Sequence, residues 1–162
     1  MEPVGSAGGV LARVGLISET HGLLRPEALR ALRGVDHILH AGDVGGAAIL
    51  EELEQLAPVT AVRGNMDGGT WAVSLPGTEA VELGGALFFI LHDLDTLDLN
   101  PGAADIRVVV FGHTHQPETR EESGVLFVNP GSAGPERRGK PVTVAVAEVR
   151  EGSVRIRNVP LK

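Results

Sequence analysis

The 162-residue chain contains no cysteine and no tyrosine, and aromatic residues make up 3% of it. Without cysteine there is no disulfide, no thiolate metal ligand and no cysteine nucleophile. With so few aromatics there is little surface on which nucleic-acid bases could stack. Positive charge is short as well: 14 lysines and arginines stand against 21 aspartates and glutamates, for a formal net charge of -7 and a pI near 5.3. An acidic chain repels a phosphate backbone, so dedicated nucleic-acid binding is not expected. Also missing is any apolar run near the roughly 18 residues needed to span a bilayer, and Met1-Glu2-Pro3 opens no basic leader. Neither a membrane helix nor a signal peptide is expected, and a cytoplasmic location is the simplest reading.

What is present is an ordinary globular composition, 43% hydrophobic with charge of both signs. The length suits one domain able to hide roughly 70% of its unfolded surface. Residues 1–11, "MEPVGSAGGVL", are small and glycine-rich and read as a flexible tail, with the domain proper spanning 12–162. Apolar patterning predicts strands at 12–18, 35–41 and 59–62, and helices at 26–33 and 45–56, a β-α-β-α-β start that calls for parallel strands. The second half changes character, with strands predicted at 72–75, 80–83, 87–91, 106–111, 125–128, 142–149 and 154–159 and little helix between them. Two packed sheets with helices outside is the architecture expected.

Several of these strands end in polar donors. "LISETHG" brings Glu19 and His21, "LHAGDV" Asp43, "VRGNMD" Asn65, "FILHDLD" His92, and "FGHTHQP" His113 and His115. In extended chain, residues i and i+2 face the same way, so each His-x-His or Glu-x-His pair could serve one site. A strand-end histidine taken singly is usually structural, and Asp43 or Asn65 alone would more often cap a turn. Seven nitrogen and oxygen donors at the carboxyl ends of neighbouring strands point instead to a shared metal site. His37 and His40 lack this placement and read as structural, His40 with a minor role behind the ligands. A donor set of imidazole, carboxylate and amide without sulfur suits Mn²⁺ best, with Fe²⁺, Zn²⁺, Ni²⁺ and Co²⁺ compatible.

In order and spacing, these motifs resemble those of the calcineurin-like metallophosphoesterase superfamily, and most closely its small bacterial and archaeal phosphodiesterases. That family carries D-x-H, G-D, G-N, a lone H and G-H-x-H, and the match runs from about Val14 to the C-terminus. The resemblance implies an α/β fold, a four-layer αββα sandwich of two mixed sheets flanked by helices, and two divalent metals at the sheet edge. It implies Glu19, His21, Asp43 and His115 as ligands of the first metal, and Asp43, Asn65, His92 and His113 as those of the second. Asp43 would bridge, and the catalytic roles would fall on Asp43, His21 and His113. The implied activity is hydrolysis of a small-molecule phosphodiester by in-line attack of a hydroxide held between two metals. The "NPGS" turn at 129–132 resembles a family loop near the site, although Pro and Gly also stand where a type II turn wants them.

The chain departs from the family at three places. Glu19 replaces aspartate; its extra methylene displaces the carboxylate by roughly a bond length, so the second metal is expected to bind more tightly. Met66 follows Asn65, where many larger relatives carry histidine to protonate the leaving group. Asp93 and Leu94 follow His92 in place of glycine and histidine. Asp93, Asp95 and Asp98 read as a solvated loop rather than added ligands, and Arg137, Arg138 and Lys140 as a solvated basic loop rather than a phosphate contact. The alternative to an enzyme is a scaffold that keeps the fold and has lost the chemistry, as the retromer subunit resembling these phosphodiesterases does.

Overall fold

A computed structural model describes residues 9–161. Two five-stranded sheets face each other. The first runs β10 (Ser153–Pro160), β9 (Thr143–Arg150), β1 (Val10–Ile17), β2 (His37–His40), β3 (Val59–Ala61). The second runs β4 (Thr78–Leu83), β5 (Ala86–Leu91), β6 (Val108–Val110), β8 (Val125–Asn129), β7 (Glu118–Glu122). Strands β1, β2 and β3 are mutually parallel, as are β5, β6 and β8, while β4, β7, β9 and β10 pair antiparallel to their neighbours. Three helices are short: α1 (Pro26–Ala31), α2 (Ala47–Glu54) and α3 (Thr70–Val73). None is long and apolar enough to cross a membrane.

Alternation along the strands builds the layers. Val14 and Leu16 of β1 point between the sheets, where they meet Phe88, Ile90, Val108, Val110 and Val128. Ile17, Ile38, Val144 and Val146 point the other way, onto Ala28 of α1, Leu32 at its C-cap, and Ile49 and Leu53 of α2. Each large side chain fully hidden in these layers contributes about 2 kcal/mol. Gly15 belongs to the second contact: a Cβ there would stand 2.8 Å from Leu32 Cδ2, so glycine lets α1 settle on the sheet. On the far face of the second sheet, Leu91, Val109, Phe111, Val125 and Phe127 are covered by a single 3-10 turn (Leu94–Thr96) and Leu97. The two mixed sheets of the expected α/β sandwich are present, and its outer layer on this face is thin.

Some expectations need correction. Residues 72–74 belong to helix α3 and its cap, and Leu75 follows in a bend, so no strand forms there. Trp71 and Leu75 are partly buried against the core layer that also receives α1 and α2. Strand β1 starts at Val10, so the expected tail keeps at most its first residues; 1–8 lie outside the described residues. Strand β7, "ETREE", was not expected at all. It is an exposed, charged edge strand with no apolar signal to read.

The parallel strands matter most for the site. Because β1, β2, β3, β5 and β6 run in register-matched parallel groups, their carboxyl ends deliver the loops after Ile17, His40, Ala61, Leu91 and Val110 to one edge of the sandwich.

Candidate metal centre

All seven candidate donors lie on those loops, and the backbone is strained at five of them. Glu19, His21, Asp43, His113 and His115 have φ of 60°, 47°, 56°, 74° and 64°, in the left-handed region that residues with a Cβ seldom adopt. Such strain persists only where surrounding structure imposes it, and it concentrates at functional sites. It also overturns the extended-chain argument for the pairs: His113 and His115 diverge from a kinked loop.

Glu19 is fully buried, and its Oε1 lies 2.9 Å from His21 Nε2 and 3.0 Å from His115 Nε2. Its Oε2 accepts the backbone N–H of His113 and stands 3.7 Å from His92 Nδ1. Asp43, 4% exposed, has Oδ2 3.3 Å from His92 Nε2 and 3.6 Å from His21 Nε2, while its Oδ1 accepts the Met66 N–H at 2.8 Å. Donor atoms of Glu19, His21 and His115 lie within 4.8 Å of one another, and so do those of Glu19, Asp43 and His92. His113 faces the other side of the cluster: its Nδ1 is 3.2 Å from Asn65 Oδ1 and 3.3 Å from His92 Nε2.

These groups fit divalent cations. His92 Nδ1 donates to the Ala41 carbonyl at 2.9 Å, which aims Nε2 into the cluster. Nε2 faces Asn65 Oδ1 at 2.8 Å and Asp43 Oδ2 at 3.3 Å, so electron-rich atoms converge on one point that a proton fills in the metal-free protein and a cation could take. Two carboxylates are buried beside each other, and among the described residues neither pairs with a lysine or arginine. Burying such charge without a counter-cation is costly. His115 Nδ1 is buried with no hydrogen-bond partner among the described residues.

The proton affinities follow from the same packing. Burial pushes the Glu19 carboxyl up. Burial would raise Asp43 too, but hydrogen bonds from His92 and the Met66 N–H outweigh it and hold Asp43 at about 2. Burial works to lower His92, yet Asp43, the Ala41 carbonyl and Glu19 leave it raised. Burial, with the nearby charge of Arg137, lowers His115 to about 4.

Close approach explains the glycines of these motifs. A Cβ on Gly64 would stand 2.1 Å from both the Asp43 backbone nitrogen and its Oδ1, and one on Gly42 2.7 Å from His92 Nδ1. The longer side chain of Glu19 is accommodated in a comparable way: it passes beneath Gly112, whose absent Cβ would lie 2.7 Å from Oε2. The carboxylate thereby touches His21, His115 and the His113 N–H at once, so the extra methylene does not keep it out of the donor cluster.

Residues behind the donors emerge that sequence reading passed over. Buried Asp67 accepts the N–H groups of Val44, Gly45 and Gly64 at 3.1, 3.0 and 2.9 Å, tying the Asp43 loop to the Asn65 loop. Its position two residues after Asn65 was the available signal. His40 is fully buried; Nε2 donates to Thr20 Oγ1 at 3.0 Å, Thr20 donates to the Val44 carbonyl, and Nδ1 accepts the Gly42 N–H. It thus supports both the Glu19 and Asp43 loops. His37 instead meets Thr60 Oγ1, away from the cluster. Asn129 of the NPGS turn donates to the Gly112 carbonyl and to Thr114 Oγ1, and Ser18 donates to the Gly131 carbonyl, so that turn braces the first and last motifs. The Gly131 φ of 85° is what a type II turn requires.

A cleft of about 270 Å³ opens over the donors, lined by His21, Asp43, Asn65, His113 and His115, with Met66 and Arg137 on its walls. Arg137 is therefore placed at the site rather than apart from it. Asp93 Oδ2 comes no nearer than 3.9 Å to His113 Nε2 and caps the 3-10 turn. A larger cavity of about 560 Å³ lies at the other end of the sheets, between the β4–β5 and β9–β10 turns, and holds none of the candidate donors.

Comparison with known proteins places this arrangement. Residues 13–152 match the family described as calcineurin-like phosphoesterase superfamily domain. A probable metallophosphoesterase of Methanothermobacter thermautotrophicus is 40% identical over 134 residues, 74% of this chain and 76% of the relative. Among solved structures, a novel archaeal phosphodiesterase superposes with a TM-score of 0.75 at 25% identity, covering 91% of this chain and 99% of the other. Vps29 from Entamoeba histolytica complexed with Zn²⁺ superposes at 0.72 and 24% identity, over 93% of this chain and 99% of the other. The chain belongs to the calcineurin-like phosphoesterase superfamily.

Proposed function

We propose that the chain is a metal-dependent phosphodiesterase that holds two divalent ions, Mn²⁺ being best suited to its donors. Glu19, His21, Asp43 and His115 would hold one ion and Asp43, Asn65, His92 and His113 the other, with Asp43 shared. When bound, the ions would supply Lewis acidity and a water acidic enough to attack phosphorus near neutral pH. The observation that carries this reading is the pair of buried carboxylates, Glu19 and Asp43, faced by imidazoles and by no lysine or arginine among the described residues.

The chain's own residues then set what can react. His92 and Asp43 are oriented by the Ala41 carbonyl and the Met66 N–H, so the donors are preorganised before any substrate arrives. Met66 is 70% exposed on the cleft wall, and a thioether has no proton to give a departing oxygen. Leaving groups that depart as stable anions are favoured, which selects aryl phosphodiesters over alkyl phosphomonoesters. Parallel assays of both substrate types with added Mn²⁺ test this; faster turnover of the alkyl monoester would overturn it. A cytoplasmic setting is the accompanying proposal.

A second reading, a binding scaffold without turnover, is favoured by the fold shared with Vps29. Turnover with added Mn²⁺ separates the two: a scaffold would gain no activity, whether or not it binds metal.

A further inference from the structure

We infer that Arg137 is a substrate-binding residue, whose guanidinium takes a non-bridging oxygen of the phosphate presented to the donors of the cleft. The inference rests on the phosphodiesterase reading for its substrate, but its binding chemistry can be tested separately.

Arg137 is the single permanently cationic side chain among the residues lining the cleft. It is exposed, and no ion pair or side-chain hydrogen bond engages it among the described residues. Its basic neighbours are committed elsewhere: Lys140 Nζ donates to the Thr114 carbonyl at 2.7 Å, and Arg25 Nε to the Gly134 carbonyl at 2.8 Å. A guanidinium cannot serve as a ligand and repels cations, so metal binding does not explain an arginine at the wall of a cation site. A planar fork of N–H donors suits phosphate oxygens.

A basic residue on a loose loop would carry no such meaning, but this loop is held. Arg138 and Gly139, with φ of 42° and 78°, form the two-residue tip of a tight turn, closed by the Lys140 N–H donating to the Arg137 carbonyl and by the bridge between these two residues. The Lys140 bond to Thr114 then pins the turn to the loop between His113 and His115. The histidine loop and the arginine turn are thus positioned as one unit. In a chain of net charge -7, this fixed cation supplies attraction for an anionic ester where the surrounding surface supplies little.

The test uses Mn²⁺-loaded full-length protein with inorganic phosphate as the probe, measured by calorimetry, in the parent, Arg137→Ala, Arg137→Lys and Arg138→Ala. Arg137→Ala is expected to weaken phosphate binding at least tenfold with metal content unchanged, Arg137→Lys to recover part of the loss, and Arg138→Ala to stay within twofold. In the parallel assay on bis(p-nitrophenyl) phosphate, the Arg137→Ala loss should fall mainly on KM. Phosphate binding by Arg137→Ala within threefold of the parent, an equal loss in Arg138→Ala, or no phosphate binding by the parent would each overturn the inference. If the parent binds phosphate through Arg137 but hydrolyses no diester, the inference stands and the phosphodiesterase reading falls.

Discussion

Glu19 Oε1 lies 3.0 Å from His115 Nε2, joining the first motif of the chain to the last. The same carboxylate accepts the His113 N–H through its other oxygen, so one side chain spans both halves of the donor cluster. Shortening it should therefore hurt. Glu19→Asp would withdraw the carboxylate from either the imidazoles or the His113 N–H and leave a void of one methylene, about 1 kcal/mol. The expected result is metal binding at least tenfold weaker at one site in a Mn²⁺ titration. Tighter binding by the variant would mean that glutamate is a defect after all.

His113 and His115 reach different groups, His113 towards Asn65 and His92, His115 towards Glu19. His113→Ala and His115→Ala should each lower metal content by about one ion per chain, at different positions. Anomalous scattering from crystals of the two variants distinguishes the positions; loss of the same peak in both would refute the assignment.

Asp67→Ala removes a buried carboxylate that accepts three backbone N–H groups. Hydrogen bonds to charged groups are worth about 1.5–3 kcal/mol each, and unpaired donors add their own penalty, so a loss of about 3 kcal/mol is a conservative expectation. Urea unfolding of metal-free protein measures it, and Mn²⁺ affinity should fall in parallel because the Asp43 and Asn65 loops lose their tie. A change under about 0.5 kcal/mol would show the tie to be unimportant.

Burial holds His40 at about 4, against an ordinary 6.5. A histidine with a depressed pKa takes its proton first in the unfolded chain, so its contribution to stability is full above about 6.5 and is lost as the pH falls through 4. Over that window the loss is about 3 kcal/mol. Metal-free His40→Gln should be less stable than the parent at pH 7.5 and should fall less steeply below 6.5. Parallel curves for the two proteins would contradict a neutral, buried His40.

Most of the residues that meet at this edge were legible in the sequence because polar donors at strand ends are few in kind, and glycines such as Gly42 and Gly64 stand beside them where backbones meet. The parallel first half was legible from its apolar runs. What escaped was whatever lacked such a signal. Strand β7 has four charged residues in five, and α3 is four residues with no full apolar period. Asp67 works entirely through backbone N–H groups, whose positions no residue pattern records. The role of Arg137 depended on where a tight turn aims a side chain, and the fit of Glu19 on a space beneath Gly112.

On the proposed reading, the Asp43-centred cluster holds metal for phosphodiester hydrolysis. Its most direct test is the turnover of bis(p-nitrophenyl) phosphate by metal-stripped protein as Mn²⁺ is added back, beside Asp43→Asn treated identically. The parent should rise from background to full rate as bound metal approaches two ions per chain. Asp43→Asn should stay folded and remain at background, because an amide cannot supply charge to both ions. A variant within about tenfold of the parent, about 1.4 kcal/mol in barrier, or a parent whose rate ignores the metal, would contradict the account.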